Sequence, residues 1–210
     1  MKEDLPKLLS SIKVGASRIR EIVMSLRTFS RLDESAIKKV DIHEGIDSTL
    51  MILQTRLKAS PESPEIKVIK EYGLLPLVEC YAGQMNQVFM NILVNAIDAL
   101  EESDKVRLSE LSHNPPQITI CTELKDEEDD IPAIAIRIID NGCGMSEEVK
   151  NHLFEPFFTT KDVGKGTGLG LSISYQIVVE RHNGKLECFS TPGCTEFTII
   201  IPQWQQKAHE

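Results

Sequence analysis

Residues 84–100 read QMNQVFMNILVNAIDAL, a run apolar enough for a core helix that nevertheless carries Gln84, Gln87, Asn91, Asn95 and Asp98. At 3.6 residues per turn these five side chains fall within an arc of about 80°. Val88, Val94 and Ala99 flank the arc. Met85, Phe89, Ile92, Leu93 and Leu100 fill much of the rest, and Asn86 is the one amide off it. A solvent-facing stripe is usually wider and rich in Lys and Glu. Amides on a narrow stripe need partners, because burying them unpaired is costly. Hydrogen bonds within the protein would satisfy them, and so would a ligand with a metal ion.

Two further stretches could meet such a ligand. In IIDNGCGM (138–145), Asp140 continues the alternation of Ile134, Ile136 and Ile138, so an extended register turns its carboxylate toward the core face. Asn141-Gly142 then turns the chain, and Gly144 allows close backbone approach. The alternative is a capped turn in which Asp140 bonds local N–H groups. In VGKGTGLGLS (163–172), glycines stand at 164, 166, 168 and 170, and a helix is expected to begin inside the run. Free N–H groups at a helix start hold anions. Thr167, Lys161 and Lys165 add a hydroxyl and positive charge. The pattern is neither a P-loop, a dinucleotide fingerprint nor a protein-kinase loop. Between these stretches, FEPFFTT (154–160) places three phenylalanines in five residues. They would serve as core packing or as an aromatic hinge beside the glycine segment.

The elements that must position these groups follow from periodicity. Leu5, Leu9, Ile12, Ala16, Ile19, Val23 and Leu26 repeat every 3.5 residues, a narrow seam that favours a helix meeting a partner helix over an amphipathic helix packed on its own domain. A second helix is expected over 42–57 and a third over 84–100. Residues 66–69 and 77–80 read as short strands around a turn, and the polar stretch 101–116 as loop. Alternation predicts strands at 118–124 and 134–138, with the acidic run 125–130 as a solvated turn. A helix over 169–180 should stop near Asn183-Gly184, followed by strands at 186–190 and 196–201. Interleaved helices and strands give an α+β sandwich, a mixed sheet with helices on one face.

Composition narrows the field. A 210-residue chain with 41% hydrophobic residues can build one large domain, or one domain with an arm. A net charge of −9 argues against a nucleic-acid partner. No apolar run reaches the roughly 18 residues of a membrane span, and no signal peptide is visible. The five cysteines are irregularly spaced, without CxxC, which fits reduced cytosolic thiols rather than a disulfide framework or a zinc site.

Taken together and in order, NILVNAIDA, DNGCGM, FEPFFTTK and GKGTGLGLS resemble the N box, first glycine box, aromatic box and second glycine box of the catalytic ATP-binding domain of bacterial histidine kinases. The resemblance covers roughly residues 38–202, and ASRIREIVMSLRTFSR (16–31) resembles the second helix of that family's dimerisation hairpin. It implies a Bergerat-type two-layer α/β sandwich preceded by a long coiled-coil-like helix. The corresponding parts are 1–36 for the partial hairpin, 37–205 for the catalytic domain and 206–210 for a tail. It implies Mg²⁺ bridging the phosphates of ATP, with Asn95 as the metal ligand and Asn91 at a phosphate or in the metal's water shell. Asp140 would accept from the adenine amine, Gly144 would belong to the wall beside the base, and Gly142 would be among the ATP-binding residues. Gly166, Gly168, Leu169 and Gly170 would bring N–H groups to the phosphates, with Lys161, Lys165, Thr167 and Asp98 nearby and Thr195 on the adenine side.

Asn91 stands where hydrolases of this fold keep a glutamate, and an amide cannot act as a general base at neutral pH. The resemblance therefore favours transfer to another nucleophile over hydrolysis. None of His43, His113, His152, His182 and His209 lies in the family's acceptor context, so the acceptor is expected on a missing first hairpin helix. The implied partners are that helix, a response regulator and a second copy of the parent kinase. The implied location is the cytoplasm, with membrane anchoring of the parent left open. The loop TPGCTEF (191–197) is shorter before Thr195 than in many relatives. The competing readings are an anti-sigma-type serine kinase and a non-catalytic ATP-binding or dimerisation module.

Overall fold

The computed structural model describes residues 36–59, 64–107, 115–125, 132–161 and 167–205. The expected coiled-coil-like helix, residues 126–130 of the acidic run, and Lys165 and Gly166 of the second glycine box lie outside these residues.

A short strand β1 (Lys38–Val40) leads into α1 (Ile42–Ile52), which Asp41 caps by accepting from the His43 N–H at 2.8 Å. The helix expected over 42–57 is interrupted at Leu53 and resumes as a single turn, α2 (Gln54–Leu57). Leu53 and Leu57 both stay buried, so packing carries the chain across the interruption. Strands β2 (Lys67–Tyr72) and β3 (Val78–Cys80) follow, then α3 (Ala82–Arg107), β4 (Gln117–Lys125) and β5 (Ala133–Asp140). A short α4 (Glu147–His152) is capped by Ser146, which accepts from Val149 N–H. Helix α5 (Gly170–Tyr175) runs on as a π-helical segment, Gln176–Arg181, before the hairpin β6 (Lys185–Thr191) and β7 (Cys194–Pro202).

Two expectations need correction. Strands β2 and β3 do not pair around a turn. β2 runs parallel to β4 (Lys67 opposite Gln117), while β3 pairs antiparallel with β1 (Val40 opposite Val78). A parallel pair needs a long crossover, and α3 supplies it, so the partner of β2 arrives only after a whole helix. The polar stretch after Leu100 is also not all loop, since α3 continues through Arg107.

The five-stranded sheet has the order β2-β4-β5-β7-β6. Its inner face carries Ile118, Ile120, Ile134, Ile136, Ile138, Ile199 and Ile201, all buried against Ile46 and Leu50 of α1 and Met85, Phe89, Ile92, Leu93 and Ile97 of α3. Each such side chain gains on the order of 1.5–3 kcal/mol from burial. Asn86, the amide off the stripe, is buried where α1 meets α3. A methyl group added at Gly45 would sit 2.5 Å from its Oδ1.

His182 ties the approach to α3 to the end of the π-helical segment. Its Nδ1–H donates to the Ile177 carbonyl at 2.7 Å, and its Nε2 accepts from the Tyr81 N–H at 3.1 Å. Both nitrogens are used in the neutral form, and the ring is fully buried. Burial holds the imidazole below its ordinary value of 6.5. The unfolded chain therefore takes up a proton first as the pH falls. Its contribution to stability is complete above about pH 6.5 and is lost as the pH drops toward the folded-state value. His182→Gln should cost roughly 1–3 kcal/mol at pH 7.5. It should also flatten the loss of stability between pH 7.5 and 5, measured by denaturant midpoints. Equal pH slopes for wild type and variant would contradict this role.

Candidate functional site

Helix α3 enters the site with one face. Asn91, Asn95 and Asp98 line a cavity of about 410 Å³, together with Val94, Ala99 and Glu102. That volume lies in the range of small-molecule sites. Gln84 and Gln87, on the same predicted arc, do not line it. The ligand-facing stripe is thus shorter than the wheel implied.

The three α3 groups are held differently. Asn91 Nδ2 donates to the Gly170 carbonyl at 2.8 Å and to Ser174 Oγ at 3.1 Å, while Ser174 Oγ–H donates to the same carbonyl. Since a carbonyl only accepts, the NH₂ end of Asn91 is committed to α5, and its Oδ1 remains as an acceptor. Asn95 Oδ1 accepts from the Lys161 ammonium at 3.3 Å, and that ammonium also bonds Asp98 Oδ2. The other Asp98 oxygen accepts from Arg56 Nη2 at 2.6 Å, and Arg56 is itself bonded to both oxygens of Glu101. One carboxylate thus lies between two cations.

Asp140 ends β5 opposite Thr195 of β7 and Ile118 of β4. It is only 3% exposed and accepts from the Gly142 N–H at 2.9 Å. Burial raises its pKa from 3.8 to about 6, against the lowering effect of that hydrogen bond. Both expectations for Asp140 hold at once, since the carboxylate sits on the core face and also bonds the local turn. Gly144 (φ +75°) carries the chain under Thr191, whose carbonyl oxygen would lie 2.2 Å from an added Cβ. Ser190 Oγ joins this loop to the hairpin by accepting from the Met145 N–H at 2.9 Å and bonding Thr195 Oγ1 at 3.0 Å.

Phe158, Thr159, Thr160, Thr167, Gly168 and Gly170 complete the other wall. Phe157 N–H donates to the Gly168 carbonyl at 2.9 Å, and both residues have positive φ (68° and 65°). An added Cβ at Gly168 would lie 2.4 Å from the Phe157 carbonyl carbon, so only glycine permits this clasp. Of the three phenylalanines, Phe154 and Phe158 do not share the exposure of Phe157, which is 74% exposed. The aromatic stretch is core packing only in part.

Residues 81–205 match the family model described as histidine kinase-, DNA gyrase B- and HSP90-like ATPase. The chain belongs to this family. It is 33% identical over 196 residues to the sensor kinase CckA of Brucella abortus (strain 2308), covering 93% of this chain and 20% of that protein. It is 30% identical over 196 residues to the signal transduction histidine-protein kinase AtoS of Escherichia coli (strain K12), covering 92% of this chain and 28% of that one. The catalytic domain of the histidine kinase ThkA superposes with a TM-score of 0.62 at 25% identity, over 80% of this chain and 96% of that domain. The fold is therefore that of a histidine-kinase catalytic ATP-binding domain. The chain spans less than a third of the length of either curated relative.

Of the residues singled out from the sequence, the cavity gathers Asn91, Asn95, Asp98, Asp140, Gly144, Lys161, Thr167, Gly168, Gly170 and Thr195. Gly142 and Leu169 do not line it. Gly142 instead supports Asp140, and the Leu169 N–H bonds Thr167 Oγ1 at 3.4 Å. Arg56, Ser174 and Ser190 escaped the reading. Arg56 has no local signal, whereas Ser174 stands one helical turn after Gly170, the spacing at which a serine bonds back to a carbonyl.

Asp140 has a measurable consequence without ligand. A carboxyl held above its ordinary value stabilises the fold only while protonated. Its contribution is full below about pH 4 and is lost as the pH rises through about 6. Asp140→Asn keeps an oxygen for the Gly142 N–H and removes the charge. The variant should be more stable than wild type at pH 7.5, by roughly 1–3 kcal/mol, and the gain should vanish below pH 4. Thermal unfolding at the two pH values checks this, and a variant no more stable at pH 7.5 would contradict it.

Proposed function

We propose that the cavity binds ATP with Mg²⁺ and presents the γ-phosphoryl group to a histidine that is not one of this chain's own. The observation that carries the proposal is one cavity combining a buried carboxylate, Asp140, with an amide-and-ammonium cluster at Asn91, Asn95 and Lys161. Ionised Asp140 would accept from the exocyclic amine of adenine. Guanine offers an oxygen there, which a carboxylate repels. Thr195, fixed by Ser190, and Gly144 would border the base. Backbone N–H groups of Gly168 and Gly170, with Thr167 and Lys161, would meet the phosphates, joined by Gly166 and Lys165 of the same motif, and the Leu169 N–H would join them on leaving its long 3.4 Å contact with Thr167 Oγ1.

Magnesium suits the donor set. Asn95 Oδ1 already accepts from one cationic group, and Mg²⁺ takes oxygen ligands while keeping several waters. Asn95 would hold it, and Asn91, whose donor end is committed to α5, would offer its remaining oxygen to the water shell. Bound metal would neutralise phosphate charge, and positioning would supply much of the rest. Asn91 cannot take a proton from water, which leaves transfer as the favoured outcome.

The described histidines support an acceptor elsewhere. His43 is stacked on Tyr72 with its Nε2 bonded to Thr122 Oγ1 at 2.9 Å, His152 bonds Glu155, and His182 is buried. The family implies an acceptor on the first hairpin helix of a dimeric kinase, residues 1–36 as part of that hairpin, residues 37–205 as the catalytic domain, and a response regulator downstream. A cytoplasmic site of action fits this role. Among the described residues no helix is long and apolar enough to cross a membrane.

Incubation with γ-labelled ATP and Mg²⁺ tests both halves. Label should be retained on native protein in filter binding and lost completely on denaturation. Absence of retention would overturn the binding site. Acid-labile, base-stable label surviving denaturation would overturn the external acceptor.

A further inference from the structure

We propose that Lys161 is a resident counter-ion of the metal position, so that metal–nucleotide binding exchanges a lysine ammonium for a divalent cation. The inference rests on the Mg-ATP reading and concerns how that site is kept before it is filled. Asn95 and Asp98 are three residues apart on α3 and therefore share a face. The Lys161 ammonium bonds both, at Asn95 Oδ1 and Asp98 Oδ2. Asp98 is not free to swing away, because Arg56 holds its second oxygen and is itself anchored by Glu101. The carboxylate thus keeps one oxygen aimed at the position beside the Asn95 carbonyl, and the ammonium compensates the charge there.

Two consequences follow. A bare divalent cation must displace Lys161 and leave its charge beside a like charge, so metal alone binds weakly. A polyphosphate brings the metal and also a new anionic partner for the displaced ammonium, so metal and nucleotide assist each other's binding. Adenosine, with no phosphates, leaves Lys161 where it is. Lys161 is in this sense a positioning residue that couples metal to phosphate. Its exposure (34% for the side chain, 26% for Asp98) keeps the effect moderate.

The test is a Mn²⁺ titration of the nucleotide-free protein, followed by paramagnetic broadening of the backbone amide signals of residues 95–99. Lys161→Gln should show half-maximal broadening at a Mn²⁺ concentration lower than wild type by roughly threefold or more. Asp98→Asn combined with Lys161→Gln should return to weak binding. In parallel, Lys161→Gln should weaken ATP binding in Mg²⁺ and leave adenosine binding unchanged. Broadening in Lys161→Gln that is no tighter than wild type overturns the exchange, as does tight binding that persists in the double variant. Failure of wild type to bind ATP or adenosine overturns the nucleotide reading instead, and the metal titration distinguishes the two.

Discussion

A carboxylate at the end of a buried strand is the constraint around which this molecule is arranged. Asp140 continues a row of isoleucines and is nearly as inaccessible as they are, yet under the proposed function it is the group that accepts a hydrogen bond from the purine amine. Burial lifts its pKa to about 6, so at neutral pH it is charged at a cost to the fold. The surroundings keep it from turning away. Gly142 supplies an N–H and leaves no room for a side chain between Asp140 and Ala99 of α3. Gly144 carries the chain under Thr191, and Ser190 pins Met145 and Thr195 on the far side. These contacts favour a single pose for the carboxylate, which is what a recognition group needs.

Charge is organised around the same cavity in a chain that is acidic overall. The lining includes Asp98, Asp140 and Glu102, which alone would repel a triphosphate. Lys161 and Arg56 offset Asp98, one from each side. Asn95 and Asn91 contribute dipoles without net charge. Asn91 also has a mechanical part, since its amide fastens α3 to the first turn of α5, the turn that follows Gly168. Replacing it would disturb the glycine wall as well as the polar stripe.

Much of this was legible in the sequence because it rests on local rules. The alternation of Ile134, Ile136 and Ile138 turned Asp140 inward. The i, i+4, i+7 spacing put Asn91, Asn95 and Asp98 on one face. The glycine run was read as backbone open to close approach, and at Gly168 the backbone does pass close to that of Phe157. What was not legible depends on distant partners. The parallel pairing of β2 with β4 requires the α3 crossover, which a local reading replaced with a turn. Arg56 reaches Asp98 across 42 positions, and Ser190 reaches Met145 across 45. The wheel also overextended the stripe, because an arc defines direction and not where along the helix the cavity begins. Gln84 and Gln87 share the direction of Asn91 but not its neighbours.

Purine selectivity tests the central claim most directly. Titrating ATP and GTP in Mg²⁺ against wild type and Asp140→Asn separates recognition by this carboxylate from simple phosphate binding. The account predicts that wild type binds ATP and discriminates against GTP, and that Asp140→Asn loses roughly tenfold or more of its ATP affinity while remaining folded. Equal binding of the two nucleotides by wild type, with ATP affinity unchanged in Asp140→Asn, would contradict it.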